Sequence, residues 1–386
     1  MSALLAKTNS LPFKHVAIIG VGLIGGSFAL AIKQRFPSIC IIGVDKPQIL
    51  KRALKQNVID IAERSAACAV RSADLVILAT PVSVITKLLP IVAKNTMPHA
   101  IVTDTGSVKQ AIVHQAYKLF PHGNFIGGHP MAGSEFSGID AAHPLLFQNA
   151  IYILTPTRTT NNRSLRALAN FFSLLDARIF MLDPAMHDSI VAAVSHLPQL
   201  VAVALMNTIG KRHPNAPAHL SLAAGGFRDM TRIASSRFEI WKDILSANRQ
   251  EISKALRLFI DQLERMSAVI DSKPSRLSSD FKTSRNLRLH IPQSMKGFML
   301  PLVDLSVFVD DKPGELARLT ASLAKQKINI KDIELLKVRE GRGGTFRLSF
   351  ENRNFSREAT RILQHAGFDV SGTEEVRAGG SLLRYR

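Results

Sequence analysis

A histidine and a serine, each placed after an apolar run, are the residues best suited to chemistry in this sequence. His129 follows Phe125-Ile-Gly-Gly, and Ser107 follows Ala100-Ile-Val-Thr-Asp-Thr-Gly. The runs predict strands, with His129 on a sharp loop at a strand end, where open α/β sheets bind ligands. A neutral imidazole there can accept the proton of an alcohol. Two plainer alternatives stay open: His129 could only hydrogen-bond its loop, and Ser107 could only cap a helix starting at Val108.

The middle of the chain carries three further candidates. Arg228 and Arg232 flank Asp-Met-Thr after a pair of glycines. Because a guanidinium binds a carboxylate through two parallel hydrogen bonds, they could clamp an acidic substrate. A surface loop of salt bridges is the alternative. His196 lies beside Pro198, which should kink an apolar helix, and it could also be a core histidine bonded to a neighbour.

A glycine-rich turn near the start predicts a dinucleotide-binding site. The apolar run Val16-Ala-Ile-Ile leads into Gly20, Gly22 and Gly25, and Asp45 ends the next apolar run, 20 residues after Gly25. This spacing places a pyrophosphate at a helix N-terminus, and the acid binds a ribose hydroxyl and repels a 2′-phosphate. We therefore expect NAD rather than NADP. The predicted cofactor-binding residues are Gly20, Gly22, Leu23, Ile24, Gly25, Asp45, Thr80 and Pro81.

The pattern of elements predicts an α/β protein in four segments. Residues 14–182 alternate strands and helices, as in a Rossmann-like parallel sheet. Residues 183–275 form long amphipathic helices, over 187–209 and 239–270, whose apolar surface favours an all-helical dimerisation domain and a homodimer. A basic linker follows over residues 276–300. Residues 301–375 show the order βαββαβ, which predicts a ferredoxin-like module.

Composition limits the classes of partner. The formal net charge is +19, but aromatic residues make up 6% and are not interleaved with the basic ones. This favours anionic small molecules over nucleic acid. The two cysteines lack metal spacing, which predicts buried, reduced thiols, no metal and a cytoplasmic protein. The apolar stretch 197–209 contains a proline and is shorter than the roughly 20 residues of a membrane span, so no membrane partner is expected.

Five motifs, taken in order, resemble the bacterial prephenate dehydrogenase family over nearly all of residues 14–372. They are Gly20–Ser27, Val102–Lys109, Gly127–Gly133, Ser195–Pro198 and Phe227–Ala234. The resemblance implies NAD-dependent oxidative decarboxylation of prephenate to 4-hydroxyphenylpyruvate, in tyrosine biosynthesis. In that reaction His129 would take the proton of the ring hydroxyl, and Ser107 would hydrogen-bond this hydroxyl or orient His129. Arg232, with Arg228, would hold substrate carboxylate, and His196 would contact the substrate.

The C-terminal module resembles an ACT domain, an amino-acid-sensing module. The resemblance implies feedback regulation by tyrosine, with effector residues Asp311, Pro313, Gly314 and Asn329. Two other functions stay open. The chain could be an arogenate dehydrogenase, which makes tyrosine from arogenate, or a non-catalytic regulator that binds NAD and an amino acid.

Overall fold

A computed structural model describes residues 13–133, 137–212, 216–290, 303–339 and 343–372. The chain divides into two units, residues 1–283 and 284–386. The first unit contains the sheet and helices that carry the predicted site. The second unit contains a smaller sheet with its own core. Each unit is described by itself.

The first unit is built on an eight-stranded sheet with the order β3-β2-β1-β4-β5-β6-β7-β8. Its strands are β1 (His15–Ile19), β2 (Cys40–Val44), β3 (Ile61–Glu63), β4 (Leu75–Leu78), β5 (Ile101–Asp104), β6 (Phe125–Pro130), β7 (Ile151–Thr155) and β8 (Arg178–Met181). Strands β1 to β6 are parallel, which confirms the predicted Rossmann-like core. However, β7 runs antiparallel to β6, and β8 is parallel to β7. A fully parallel sheet is therefore wrong for the last two strands, because within the described residues no crossover helix longer than a 3-10 turn joins β6 to β7.

The helices that precede the second sheet along the chain include those that cover both faces of this one. They are α1 (Leu23–Arg35), α2 (Pro47–Lys55), α3 (Ala66–Ala69), α4 (Val82–Asn95), α5 (Gln110–Leu119), α6 (Asn162–Leu174), α7 (Pro184–Val191), α8 (Leu197–Arg212), α9 (Ala216–Ser221), α10 (Gly225–Thr231), α11 (Phe238–Ala247), α12 (Arg249–Ser272) and α13 (Ser278–Leu289). Successive residues of β1 enter opposite cores: Val16 and Ile18 pack on one face, Ala17 and Ile19 on the other. Burial of both faces explains the uninterrupted apolar runs.

A π turn, Ala192–His196, joins α7 to α8 in one long helical run. Pro198 cannot donate a backbone N–H and crowds the preceding turn, so the wider turn accommodates it. The predicted break beside His196 is present as this turn. The run Pro184–Gly210 spans 27 residues and, by length and composition alone, is apolar enough to cross a membrane. Of its most apolar 18-residue segment, 28% is buried. The apolar stretch predicted over 197–209 is therefore too short, because the helix continues through the π turn into α7.

Two sequence-based predictions need correction, one on a helix of this region and one on the cysteines, and the structure adds detail to the predicted linker. The helix expected over 239–270 is divided at Asn248, which lies between α11 and α12. The predicted linker over 276–300 is helical as far as Leu289, and residues 291–302 lie outside the described part of the chain. The thiols are less buried than expected, since Cys40 is half-buried and Cys68 is exposed.

The second unit has the predicted order βαββαβ. Its elements are β9 (Val303–Val309), α14 (Glu315–Lys325), β10 (Asp332–Arg339), β11 (Gly343–Phe350), α15 (Arg353–His365) and β12 (Asp369–Gly372). They form an antiparallel sheet with the order β10-β11-β9-β12. Side chains of β9, such as Leu305 and Val307, pack with both helices in a separate core. Gly314 starts α14 at φ +92°, a left-handed conformation that favours glycine.

Candidate active site

The glycine turn between β1 and α1 has the geometry that a bound pyrophosphate requires. Gly20 has φ +98°, and a Cβ on Gly25 would lie 1.9 Å from the carbonyl oxygen of Gly20, so both positions require glycine. A Cβ on Gly22 would meet nothing within 4 Å, so space is open there. No side chain caps the start of α1. The free backbone N–H groups of Leu23 and Ile24 can therefore bind an anion.

Asp45 connects this turn to the end of β2. Its carboxylate accepts hydrogen bonds from the backbone N–H of Val21 at 2.7 Å and of Lys46 at 2.7 Å. At the end of β4, the Thr80 hydroxyl is buried and has no hydrogen-bond partner among the described residues. Pro81 follows and starts α4. The open space, the uncapped helix and the unpaired hydroxyl together fit a dinucleotide.

Ser107 lies three positions after the end of β5. His129 lies near the end of β6, the neighbouring parallel strand. Because Thr103 pairs with Ile126, the two residues lie beyond this pair at the same edge of the sheet as the glycine turn. His129 belongs to β6 itself and pairs with Ile153, so the predicted loop is wrong. The preceding glycines serve close packing: a Cβ on Gly128 would lie 2.6 Å from the carbonyl oxygen of Asp104 and from the Tyr152 hydroxyl.

His129 is hydrogen-bonded to a second histidine that sequence reasoning missed. The distance from His129 Nδ1 to His187 Nε2 is 2.8 Å, and that from His187 Nδ1 to Asp188 Oδ1 is 2.7 Å. His187 and Asp188 are both fully buried at the middle of α7. The sequence signal that could have identified them is an adjacent His-Asp pair inside an otherwise mostly apolar helical stretch, since a charged pair there needs a partner if it is buried.

Asp188 also caps α5. Its carboxylate accepts the backbone N–H of Lys109 at 2.7 Å and of Gln110 at 2.9 Å. The helix starts at Gln110 rather than at Val108. The alternative role of Ser107 as its N-cap is therefore wrong, because a carboxylate from another helix satisfies these donors.

Lys109 and Asp104 form a fully buried ion pair behind His129. Lys109 Nζ also donates to the carbonyl oxygen of Gly128 at 2.6 Å, and Asp104 Oδ1 accepts the N–H of Gly128 at 3.2 Å. Both backbone groups of the residue before His129 are thus held by one ion pair. This pair fixes the strand that carries the histidine.

Burial determines the protonation of the site. It lowers the pKa of His129 well below its ordinary value, and the neighbouring His187, Lys109 and His196 lower it further. Burial also lowers the pKa of Lys109, against the opposing effect of Asp104. The pKa of His196 falls to about 4 for the same main reason. His129 is therefore neutral near pH 7, as a proton acceptor must be.

His196 lies deeper than expected for a residue that contacts substrate. It is 1% exposed, its Nδ1 lies 3.3 Å from Asn248 Nδ2, and its ring meets Trp241 edge-on at 5.9 Å. Asn248 also donates to the backbone carbonyl of Asp188 at 2.8 Å, so it links His196 to the network of His187. These contacts fit the alternative of a core histidine bonded to a neighbour.

The two arginines lie outside this buried network. Arg228 is on α10, and Arg232 starts the short 3-10 helix Arg232–Ser235; both are exposed. Arg232 is four positions after Arg228, so the two share one helical face. Gln199 Nε2 on α8 donates to the carbonyl oxygen of Ile233 at 2.9 Å and fixes this segment.

Comparison with known proteins identifies the family. The sequence profile described as prephenate dehydrogenase, nucleotide-binding domain, matches residues 28–181, and the profile described as prephenate dehydrogenase, dimerization domain, matches residues 183–282. The prephenate dehydrogenase of Bacillus subtilis (strain 168) is 36% identical over 353 residues, covering 90% of this chain and 95% of the relative. The chain belongs to the prephenate dehydrogenase family. It is therefore an NAD-dependent oxidoreductase, as predicted.

Two solved structures extend this comparison. Prephenate dehydrogenase from A. aeolicus, in complex with hydroxyphenyl propionate and NAD+, is 31% identical with a TM-score of 0.69, covering 73% of this chain and 100% of that chain. Synechocystis arogenate dehydrogenase is 31% identical with a TM-score of 0.62, covering 71% of this chain and 99% of that chain. Both solved chains are thus matched over almost their whole length by somewhat less than three quarters of this chain.

Proposed function

We propose that the chain catalyses the NAD-dependent oxidative decarboxylation of prephenate to 4-hydroxyphenylpyruvate, in the cytoplasm, for tyrosine biosynthesis. The observation that carries this proposal is the neutral, half-buried His129 at the edge of the sheet that also carries the glycine turn. A hydride donor that is an alcohol carbon needs a base for its hydroxyl proton. The half-buried imidazole provides that base near the predicted cofactor site.

The residues of this chain divide the work of the reaction. His129 accepts the proton of the ring hydroxyl, and Ser107 hydrogen-bonds that hydroxyl or orients His129. Arg232 and Arg228 hold substrate carboxylate, which suits a dianionic substrate and a protein of net charge +19. His196, which is 1% exposed, supports the buried network through Asn248 instead of contacting the substrate. Loss of carbon dioxide makes the ring aromatic, so the protein mainly orients the substrate and places charge.

The glycine turn and the strand ends would hold NAD. The backbone around Gly20, Gly22 and Gly25 receives the pyrophosphate, and Asp45 receives the ribose hydroxyls. Thr80, whose hydroxyl is buried and without a partner among the described residues, lies just after β4 at the same edge of the sheet. When bound, the cofactor supplies a nicotinamide that accepts hydride. We expect NAD to be preferred over NADP because Asp45 would repel a 2′-phosphate.

Steady-state rates with prephenate and with arogenate, each with NAD and NADP, test this function. We expect the highest kcat/KM for prephenate with NAD. A higher kcat/KM for arogenate would favour the second candidate, arogenate dehydrogenase. The likeness to the Synechocystis enzyme supports this candidate. Cofactor binding without turnover of either substrate would favour a non-catalytic regulator.

We propose that the chain forms a homodimer through its helical part. The long run Pro184–Gly210 is apolar but mostly unburied in the single chain. Other helices of the same part expose large apolar side chains, among them Leu222, Phe238 and Leu258. The matching profile is described as a dimerization domain. A second copy would cover these apolar surfaces.

We propose that the second unit is an ACT domain that binds tyrosine as a feedback inhibitor. Its βαββαβ order and separate core support this. The expected effector residues Asp311, Pro313 and Gly314 are exposed in the turn between β9 and α14, and Asn329 is exposed before β10. Gly314 has the left-handed conformation that this turn needs.

Truncation of the chain after Met295 tests whether turnover and inhibition by tyrosine depend on different parts of the chain. We expect the shortened chain to remain a dimer and to keep turnover, because the first unit has its own cores and the A. aeolicus relative is fully covered by 73% of this chain. We also expect inhibition by tyrosine to be lost. The measurements are sedimentation mass and turnover of prephenate with and without tyrosine. Unchanged inhibition would mean that the effector acts at the catalytic site.

A further inference from the structure

The fully buried side chain of His187 makes hydrogen bonds with both of its ring nitrogens. Nε2 lies 2.8 Å from His129 Nδ1, and Nδ1 lies 2.7 Å from Asp188 Oδ1. The same carboxylate accepts two backbone N–H groups at the start of α5. An oxygen acceptor shared by several donors is typical of an ionised carboxylate, which can only accept. The proton between these two residues therefore belongs to His187 Nδ1.

This assignment fixes the proton on His129. A neutral His187 that carries its proton on Nδ1 has a free lone pair on Nε2. Because that atom faces His129 Nδ1, His129 must donate from Nδ1. Its own Nε2 is then unprotonated. The opposite tautomer of His129 would set two lone pairs against each other beside the fully buried His187 ring, which costs free energy.

We propose that His187 and Asp188 are positioning residues that hold His129 in the tautomer whose Nε2 accepts the substrate proton. This inference rests on the proposed function and adds to it. When Nε2 takes the hydroxyl proton, His129 becomes an imidazolium that still donates from Nδ1 to His187. The new positive charge is shared along this hydrogen bond towards the Asp188 carboxylate. The arrangement follows the general rule that a base is oriented by a third group.

The charges around the two rings support this role. Lys109, from the residues before α5, opposes a positive charge on His129. The carboxylates that face the network are Asp188 on α7 and Asp104 on β5, and Asp104 is paired with Lys109. The Tyr152 hydroxyl on β7 donates to the backbone carbonyl of Asp104 at 3.4 Å. The Asn248 amide donates to the backbone carbonyl of Asp188. Asp188 is thus the carboxylate placed to stabilise charge on the His129–His187 pair.

Nitrogen-15 NMR of the histidine rings tests the tautomer without any substrate. In the full chain at neutral pH, His129 should show a protonated Nδ1 and an unprotonated Nε2, assigned by loss of the signals in His129→Asn. In His187→Leu, which removes the acceptor, this preference should be lost. A wild-type His129 protonated on Nε2 would overturn the proposal. Because no turnover is measured, this result does not depend on the identity of the substrate.

Three variants test the consequence for catalysis. His187→Leu should lower kcat by about 10–100-fold, the usual effect of losing an orienting partner, and KM for NAD should stay within threefold. His187→Gln should restore most of the loss, because its amide oxygen can accept the proton of His129 Nδ1. The matched control is His122→Leu, at an exposed histidine before β6, which should not change kcat.

The outcomes are distinct. Unchanged kcat in His187→Leu, or an equal loss in His187→Leu and His187→Gln, would overturn the positioning role. If His187→Leu does not fold, the Gln variant and the wild-type NMR spectrum still decide. A wild-type chain that turns over neither prephenate nor arogenate would instead contradict the proposed function, while the NMR result would stand by itself.

Discussion

Replacing His129 by Asn should reduce kcat for prephenate by about 10²–10⁴-fold, the range for loss of a general base. Asparagine is close in size and can keep a hydrogen bond to His187, but it cannot take a proton from the ring hydroxyl. Binding of NAD should be unchanged, because the glycine turn and Asp45 follow other strands, β1 and β2. Steady-state kinetics and a direct measurement of NAD affinity check both expectations.

The pH dependence gives an independent check of this role. Because burial lowers the pKa of His129 well below 6.5, the ring stays neutral as the pH falls from 7 through 6.5. The acid limb of the kcat/KM profile should therefore lie well below pH 6.5. Turnover of His129→Asn near the wild-type rate, or an acid limb at or above the ordinary histidine pKa, would contradict the assignment of His129 as the base.

Replacing Lys109 by Met should cost the first unit about 3–5 kcal/mol of unfolding free energy, the typical effect of breaking a buried ion pair. Methionine matches the length of lysine but leaves the Asp104 carboxylate fully buried without its cation, and the Gly128 carbonyl without its donor. Urea unfolding followed by fluorescence of Trp241, the single tryptophan of the chain, measures this unit.

Two controls separate charge from volume. Arg52→Met breaks an ion pair with Asp140 whose side chains are about half exposed, and it should cost less than about 1 kcal/mol. The double variant Lys109→Met with Asp104→Asn should recover part of the loss, because it removes the unpaired charge. A single Lys109→Met variant as stable as the wild type would show that the pair contributes little to the stability of the fold.

The cofactor half of the site was predictable because its signals are local. Gly20, Gly25 and Asp45 lie within one strand–helix–strand unit, and their spacing alone predicts their geometry. Alternation of apolar and polar residues also located most helices and strands, including the order of the second unit. In these regions short-range sterics and burial determine the structure, so nearby sequence contains the information.

The catalytic half depends on contacts between distant residues. His187 lies 58 residues from His129, and the Asp188 carboxylate binds a backbone group 79 residues away. No local pattern records such pairs. The glycines before His129 also misled the prediction of a loop, because they allow close packing within β6 rather than a turn. Asn248, which breaks a predicted helix, has its role only through His196 and Asp188.

The hydrogen bonds of Asp188 limit how far the first unit can be treated as separable parts. Its carboxylate starts a helix of the sheet region and, in the same place, fixes the proton on His187. A fragment containing only the sheet would retain its nucleotide turn but would lack the groups that orient His129. Chimeras between relatives that exchange helical regions should therefore keep His187 and Asp188 together with the sheet residues Asp104, Lys109 and His129, because these five residues form one hydrogen-bonded network.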